Sequence, residues 1–296
     1  MSNTKPGAMV AYLKLFRWPN LLIIAITQYL FRYAIVGPLL HQSGYDLTLS
    51  DFDFFLLVLS TLLISAAGYA INDYFDLRTD RINKPHKIIL GKEISRRSAI
   101  FYHSLFNFIA VAIGLYLAIS VDQWNLVFIF LVIPMLLWLY SLRYKRKFLL
   151  GNLIVGLLAA FVIAIVWVFE YHAIAANIIM DRQTNAIITT FANVYCLFAL
   201  LSTVGREIIK DIEDMKGDAK IGCRTLPIVS GIRVSKKITI VINLGIIGFV
   251  AYLQIFLSQL NYHLLFAYVI LAIQIPLVLM IHKTQIAMEK SDYINL

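Results

Sequence analysis

The fold is decided by the stretch FFLLVLSTLLISAAGYAI (Phe54–Ile71) and by NDYFDLRTDRINKP (Asn72–Pro85), which follows it directly. The first part is an unbroken run of 18 mostly apolar residues, which is long enough for an α-helix to cross a bilayer. The second part places Asp73, Asp76 and Asp80 at the end of that run. A carboxylate at the centre of a bilayer costs about 2.5–3.5 kcal/mol, so these side chains are expected to face water or a polar cavity.

The rest of the chain has the composition of a membrane protein. Of its 296 residues, 60% are apolar and 15% are charged, whereas a soluble domain is about half apolar and about a quarter charged. Apolar runs predict eight spans: 19–40, 54–72, 99–120, 124–141, 149–170, 187–205, 237–257 and 263–282. We therefore predict an all-α polytopic membrane protein, with residues 1–296 forming a single membrane domain.

Lysine and arginine are sorted by loop. Of the 26 such residues, 24 lie in the two terminal tails or in the loops after the second, fourth and sixth spans, counting Lys237 at the very start of the seventh span with the loop before it. Short loops rich in lysine and arginine stay in the cytoplasm. The sequence therefore predicts a multi-pass protein of the cell inner membrane, with both termini and these three loops cytoplasmic. The net charge of +9 follows from this topology, and no nucleic-acid partner is expected.

The aspartates of the opening stretch are spaced i, i+3 and i+7, which places them on one helical face about 60° wide. A second trio with the same spacing follows the sixth span: Asp211, Asp214 and Asp218. Glu207 joins the face of that trio, whereas Glu213 points the other way. One isolated trio is as readily a solvated helix end as a functional site. Two trios of identical spacing, each at the end of a span, favour a function.

The two acidic faces favour a hard metal ion. Like charges at helical spacing repel by a few tenths of a kcal/mol per pair, so a cation is expected among them. No histidine or cysteine joins either cluster, which disfavours soft transition metals. Oxygen ligands suit Mg²⁺, which often binds through one or two carboxylates and substrate phosphates. With lysine and arginine interleaved, the residues predict Mg²⁺ ions that hold one diphosphate between the two faces.

The acidic motifs resemble those of the UbiA superfamily of intramembrane prenyltransferases. The first family motif, NDxxDxxxD, begins here at Asn72 and continues as DRxN with Arg81 and Asn83. The second motif, DxxxD, falls on Asp214 and Asp218. Both motifs follow spans in matching positions, and the resemblance runs from about residue 13 to about residue 282.

Two further elements resemble the same family. FRWPN is similar to the start of its first span and gives Arg17 and Asn20, while YSxxxK falls on Tyr140, Ser141 and Lys145. Members usually have nine spans, and this chain departs from that pattern with eight. One wall of the expected cavity is therefore left without a predicted helix.

The resemblance implies a helical bundle around a central cavity capped by cytoplasmic loops, and a Mg²⁺-dependent prenyl transfer within it. It implies these catalytic residues: Asp73, Asp76, Asp80, Asp211, Asp214 and Asp218. It implies these metal ligands: Asn72, Asp76, Asp80, Asp214 and Asp218. It implies these substrate-binding residues: Asn20, Asn72, Arg81, Lys145, Arg206 and Lys210.

The expected partners are a prenyl diphosphate donor, a lipid-like or aromatic acceptor, and membrane lipids. The second motif most resembles the branch that transfers geranylgeranyl to geranylgeranylglyceryl phosphate. An aromatic prenyltransferase of a quinone pathway is the alternative within the family. An ion or phosphate transporter is the alternative outside it, because intramembrane acid can mark an ion path. The spans are nearly free of charge and both clusters lie on one side, which disfavours transport.

The predicted topology can be tested with single cysteines. Residues 78–97 lie in a region dense in lysine and arginine, whereas residues 172–186 contain only Arg182 of these types. Cysteines placed in the two regions are expected to react with an impermeant reagent from opposite sides of the membrane. Labelling of both from one side contradicts the topology.

Overall fold

The computed structural model describes residues 7–86, 88–259 and 262–294. Within these residues, eight helices are long and apolar enough to cross a membrane, as the sequence predicts. In chain order, the first to eighth spanning helices are Trp18–Gln42, Asp51–Asn83, Arg96–Ser120, Trp124–Leu142, Leu150–Ala175, Arg182–Lys220, Ile232–Ile255 and His263–Ile286. Three shorter helices are Ala8–Leu15, Leu226–Ser230 and Lys290–Ile294. The all-α fold class is confirmed.

The second and sixth spanning helices are longer than predicted. Their apolar runs end near residues 72 and 205, but the helices continue without a break to Asn83 and Lys220. Their 33 and 39 residues extend about 50 and 58 Å at a rise of about 1.5 Å per residue, against about 30 Å of hydrocarbon. The two aspartate trios therefore lie on continuous helix, as their spacing predicts, and only the predicted ends of these two helices are corrected.

The chain divides into two compact units. One comprises residues 1–144 and 158–196, and the other comprises residues 145–157 and 197–296. The divisions fall inside the fifth and sixth spanning helices, so each of these helices contributes to both units. The first aspartate trio belongs to the first unit and the second trio to the second unit. A single domain over residues 1–296 stays a prediction.

In the first unit, the second, third and fourth spanning helices pack on one another. The third and fourth helices approach closely at Gly114, where an added Cβ would lie 2.2 Å from the ring of Phe130. Only glycine fits there, and small residues of this kind let spanning helices approach closely. At Gly68 of the second helix, an added Cβ would lie 3.1 Å from Leu137 of the fourth helix.

A buried ion pair ties the first spanning helix to the fifth. The first helix contains a π-helical segment, Phe31–Val36, and Arg32 lies on it. The Arg32 side chain is 1% exposed, and its Nε donates to Oε2 of Glu170, which is 0% exposed, at 3.0 Å. Arg32 also donates to the carbonyl of Leu49 and to Oδ1 of Asp51. The backbone N–H groups of Thr48 and Leu49 in turn donate to Oε1 of Glu170.

We expect Arg32→Met to destabilise the protein strongly. It leaves the carboxylate of Glu170 buried without its counter-charge, and such a change costs about 3–5 kcal/mol. A large fall in the melting temperature of the detergent-solubilised protein is the expected result. Arg182→Met is the matched control, because Arg182 is an exposed arginine and exposed charges contribute about 0–1 kcal/mol. Equal melting temperatures for the two variants would show that the buried pair does not stabilise the fold.

Candidate active site

The first acidic face lies on the cytoplasmic end predicted for the second spanning helix. Asp73, Asp76 and Asp80 are each half-buried on this continuous helix, which confirms the helical spacing inferred for them. Nδ2 of Asn72 donates to Oδ2 of Asp76 at 2.8 Å, one turn along the helix. Arg81 is exposed on the last turn. The amide of Asn72 therefore orients one of the carboxylates on which the predicted site depends.

Arg17 reaches the same face from the N-terminal segment. It lies between the helix Ala8–Leu15 and the first spanning helix, with a left-handed φ of 52°. Its Nη2 lies 2.9 Å from Oδ1 of Asp73, and its guanidinium lies 4.8 Å from the ring centre of Tyr69. Nδ2 of Asn20 donates to the hydroxyl of Tyr69 at 3.4 Å. The break between the two helices thus directs the predicted residues Arg17 and Asn20 towards the second spanning helix.

Apolar packing supports the first acidic face from behind. Buried residues of the helix Ala8–Leu15, of the second spanning helix and of the segment that follows it form one core cluster: Ala11, Leu15, Ala70, Leu77, Leu90, Ile94 and Ala99. Because Leu77 lies between Asp76 and Asp80 in sequence but points into this cluster, the helix is held on one side and carries its acid on another.

The second acidic face begins with a local charge cluster on the sixth spanning helix. Glu207 is buried, and its two oxygens contact Nη2 of Arg206 at 2.8 Å and Nζ of Lys210 at 3.6 Å. Arg206 and Lys210, which the resemblance assigns to substrate, are therefore ion-paired within their own helix. Both cations remain partly exposed, at 65% and 40%, so solvent screens these pairs and leaves the side chains accessible.

Asp211 is held by a residue that the sequence analysis missed. Nδ2 of Asn152, on the first turn of the fifth spanning helix, donates to Oδ2 of Asp211 at 2.9 Å. Asn152 itself is 5% exposed. Asp214 and Asp218 are half-buried further along the sixth helix. The signal in the sequence is the segment GNLIVG (Gly151–Gly156), which places an amide beside two small residues at the start of an apolar run.

Two apolar clusters support the second acidic face. One contains Val204, Ile208 and Leu226, with Leu149 packed against it, and the other contains Ile209, Ile212, Ala287 and Tyr293. Lys145 is half-buried on the 3-10 turn Tyr144–Arg146. The carbonyl of Arg146 accepts a hydrogen bond from the N–H of Arg224 at 2.8 Å. This backbone contact ties the turn to the segment after the sixth helix.

Both faces offer oxygen donors of the kind that Mg²⁺ prefers. Within the described ranges, no three aspartate, glutamate, histidine or cysteine side chains lie close enough together to form a metal-binding group. Mg²⁺ does not require one, because it keeps several waters and takes one or two carboxylates together with substrate phosphates. The amide–carboxylate pair Asn72–Asp76 therefore fits this ion, while the full predicted ligand set stays a prediction.

Comparison with known proteins places the sequence in a family. Residues 30–292 match the UbiA prenyltransferase family. The digeranylgeranylglyceryl phosphate synthase of Methanosphaera stadtmanae is 30% identical over 236 residues, which are 80% of this chain and 75% of that protein. The synthase of the same name from Methanobrevibacter smithii is 34% identical over 190 residues, which are 64% of this chain and 62% of that protein. The aligned part is thus just under two thirds of the latter relative.

A solved structure extends the similarity to the fold. A structure described as giving insights into digeranylgeranylglyceryl phosphate synthase in membranes superposes with a TM-score of 0.55 at 25% identity, covering 98% of this chain and 92% of that one. The family match covers most of the sequence, including the paired aspartate motifs and every spanning helix except the first half of the first. This chain is therefore a multi-pass integral membrane protein that belongs to the UbiA prenyltransferase family.

Proposed function

We propose that this protein transfers a geranylgeranyl group from its diphosphate to a lipid-like acceptor of the geranylgeranylglyceryl phosphate type. The observation that carries the proposal is the similarity to digeranylgeranylglyceryl phosphate synthases, which reaches 80% of this chain in one relative. The two acidic helical faces supply the chemistry that such a transfer needs. The product would carry a new ether bond between C1 of the prenyl group and the oxygen of the acceptor.

The donor would bind through its diphosphate. The residues that would hold Mg²⁺ are Asn72, Asp76 and Asp80 on one helix and Asp214 and Asp218 on the other. When bound, Mg²⁺ would neutralise the diphosphate and stabilise the charge that develops as the allylic C1–O bond breaks. The hydrogen bond from Asn72 fixes the orientation of Asp76 before any ligand arrives, so less conformational entropy is lost on binding.

The cations near the two faces would complete the diphosphate site. Arg17 balances Asp73 at 2.9 Å, and Arg206 and Lys210 balance Glu207. Each pair keeps a cation at a defined place, from which its remaining donors can bind phosphate oxygens. Arg81, which is exposed on the last turn of the second spanning helix, is a further candidate for such contacts. Lys145, which is half-buried on the turn Tyr144–Arg146, is another.

We propose that both acidic faces and both termini lie on the cytoplasmic side of the cell inner membrane. The support is the distribution of charge, because 24 of the 26 lysine and arginine residues belong to the loops and tails of one side. A water-soluble diphosphate product would then leave directly into the cytoplasm, while the prenylated lipid stays in the bilayer.

Charge-removing substitutions test the metal–diphosphate role. Asp76→Asn and Asp214→Asn keep the side-chain shape but remove a charge, and each is expected to lower prenyl-transfer turnover about 100-fold or more. Both variants are also expected to require more Mg²⁺ for half-maximal rate. Glu213→Gln is the control, because Glu213 lies on the same helix but points away from the acidic face. If both aspartate variants behave like Glu213→Gln, the aspartates only solvate helix ends.

An acceptor panel tests the substrate class. Purified protein with Mg²⁺ and labelled geranylgeranyl diphosphate is expected to prenylate geranylgeranylglyceryl phosphate, with the product identified by mass spectrometry. Prenylation of 4-hydroxybenzoate or a naphthoate, with the glyceryl phosphate ignored, would make the protein an aromatic prenyltransferase. Ion or phosphate flux in liposomes without any prenyl transfer would instead identify a transporter.

A further inference from the structure

We infer that Asn152 is a positioning residue for prenyl transfer, which acts by fixing the carboxylate of Asp211 on the second acidic face; this inference rests on the proposed function. Asn152 lies on the fifth spanning helix and Asp211 on the sixth, 59 residues apart in sequence. The hydrogen bond of 2.9 Å between them is therefore a tertiary contact and not part of a helix cap.

The close approach of the two helices makes this contact possible. Gly156 lies one turn beyond Asn152, on the same side of the fifth helix. A Cβ added at Gly156 would lie 2.7 Å from Cγ2 of Val204 and 3.0 Å from the carbonyl oxygen of Leu200. At Gly156 the backbone of the fifth helix thus lies directly against Val204 and Leu200 of the sixth helix, with no side chain of its own between them. A side chain as short as asparagine reaches the sixth helix because the fifth helix is this near.

The chemistry of the donor distinguishes Asn152 from the other partners of the second acidic face. Glu207, one turn before Asp211, contacts the cations Arg206 and Lys210. Asp211 instead receives its hydrogen bond from a neutral amide. A neutral donor fixes the rotamer of a carboxylate without cancelling its charge, and a hydrogen bond to a charged group is stronger than one between neutral groups. Asn152 thus orders Asp211 without adding a positive charge that would compete with a cationic ligand.

The burial of Asn152 makes its replacement informative. The Asn152 side chain is only 5% exposed, so a side chain that replaces it stays in the same buried space. Leucine has nearly the same shape as asparagine but no donor. Asn152→Leu therefore removes the hydrogen bond while filling the same space. The matched control is Asn243→Leu, since Asn243 is a buried amide of the seventh spanning helix, 3% exposed, in the same compact unit.

The experiment combines three readouts on the full-length protein in detergent. They are the melting temperature without ligands, the Mg²⁺ concentration that gives half-maximal prenyl transfer, and the affinity for inorganic diphosphate with Mg²⁺ by calorimetry. For Asn152→Leu we expect a shift of about 10-fold or more in the last two readouts, with a melting temperature close to that of Asn243→Leu. In an Asp211→Ala background, Asn152→Leu is expected to change the diphosphate affinity no further.

Three results would overturn the inference while leaving the proposed function intact. A change confined to the melting temperature would make Asn152 a packing residue. A loss of diphosphate affinity that is undiminished in the Asp211→Ala background would show that Asn152 does not act through Asp211. If the wild-type protein is active and Asn152→Leu shows the same Mg²⁺ dependence, this inference is refuted and the proposed function is not. A wild-type protein that transfers no prenyl group would refute the proposed function, and this inference with it.

Discussion

The high cost of placing a carboxylate in hydrocarbon is the constraint on which this architecture depends. The chain meets it by letting two helices, of 33 and 39 residues, continue past their apolar runs and carry their acid there. A bare helical extension of a few turns is only marginally stable in water. Each extension is therefore held by apolar clusters. The first is held by one cluster built with the N-terminal helix Ala8–Leu15, and the second by two clusters, one with Leu226 and one with Ala287 and Tyr293.

Arg32 and Glu170 show the opposite solution, in which charge remains inside a spanning region. Removing both ions from water costs several kcal/mol per ion, and the cost is offset only if their hydrogen-bonding groups are satisfied. Here the guanidinium donates to Glu170, Asp51 and the Leu49 carbonyl, while Glu170 also accepts from two backbone N–H groups. Charges saturated in this way hold a fold together. The half-buried aspartates of the two faces differ in keeping access to solvent.

The number of spanning helices and the grouping of the aspartates could be predicted from the sequence, because both depend on local periodicity. Hydrophobic run length marks where a helix enters hydrocarbon, but it carries no information about where the helix ends in water. The ends predicted from the sequence, at residues 72 and 205, therefore come too early, and the two helices continue to Asn83 and Lys220. The helices continue because no proline interrupts them before Pro85 and Pro227.

Contacts between distant residues could not be predicted in the same way. The pair Arg32–Glu170 is separated by 138 residues and the pair Asn152–Asp211 by 59. Neither has a periodic signature, and each depends on how closely two particular helices approach. The partner of Asn152 follows from the pairing of the fifth and sixth helices at Gly156, which local sequence patterns do not specify.

The two acidic faces share an electrostatic pattern although they are built differently. On each face an arginine pairs with the acid nearest the membrane, as Arg17 does with Asp73 and Arg206 with Glu207. On each face an asparagine then donates to the next carboxylate of the row: Asn72 to Asp76 at 2.8 Å and Asn152 to Asp211 at 2.9 Å.

One of these asparagines acts within its helix and the other acts across to a neighbouring helix, so the pattern does not follow from local sequence. It follows from a shared requirement. At the end of each face nearest the membrane, a cation reduces the repulsion among the acids. Neutral amides order the next carboxylates without adding positive charge that would compete with a metal ion. A solvated helix end needs no such division between charged and neutral partners. Both helices carry this division of partners, which favours a ligand-binding role for each face over a solvated helix end.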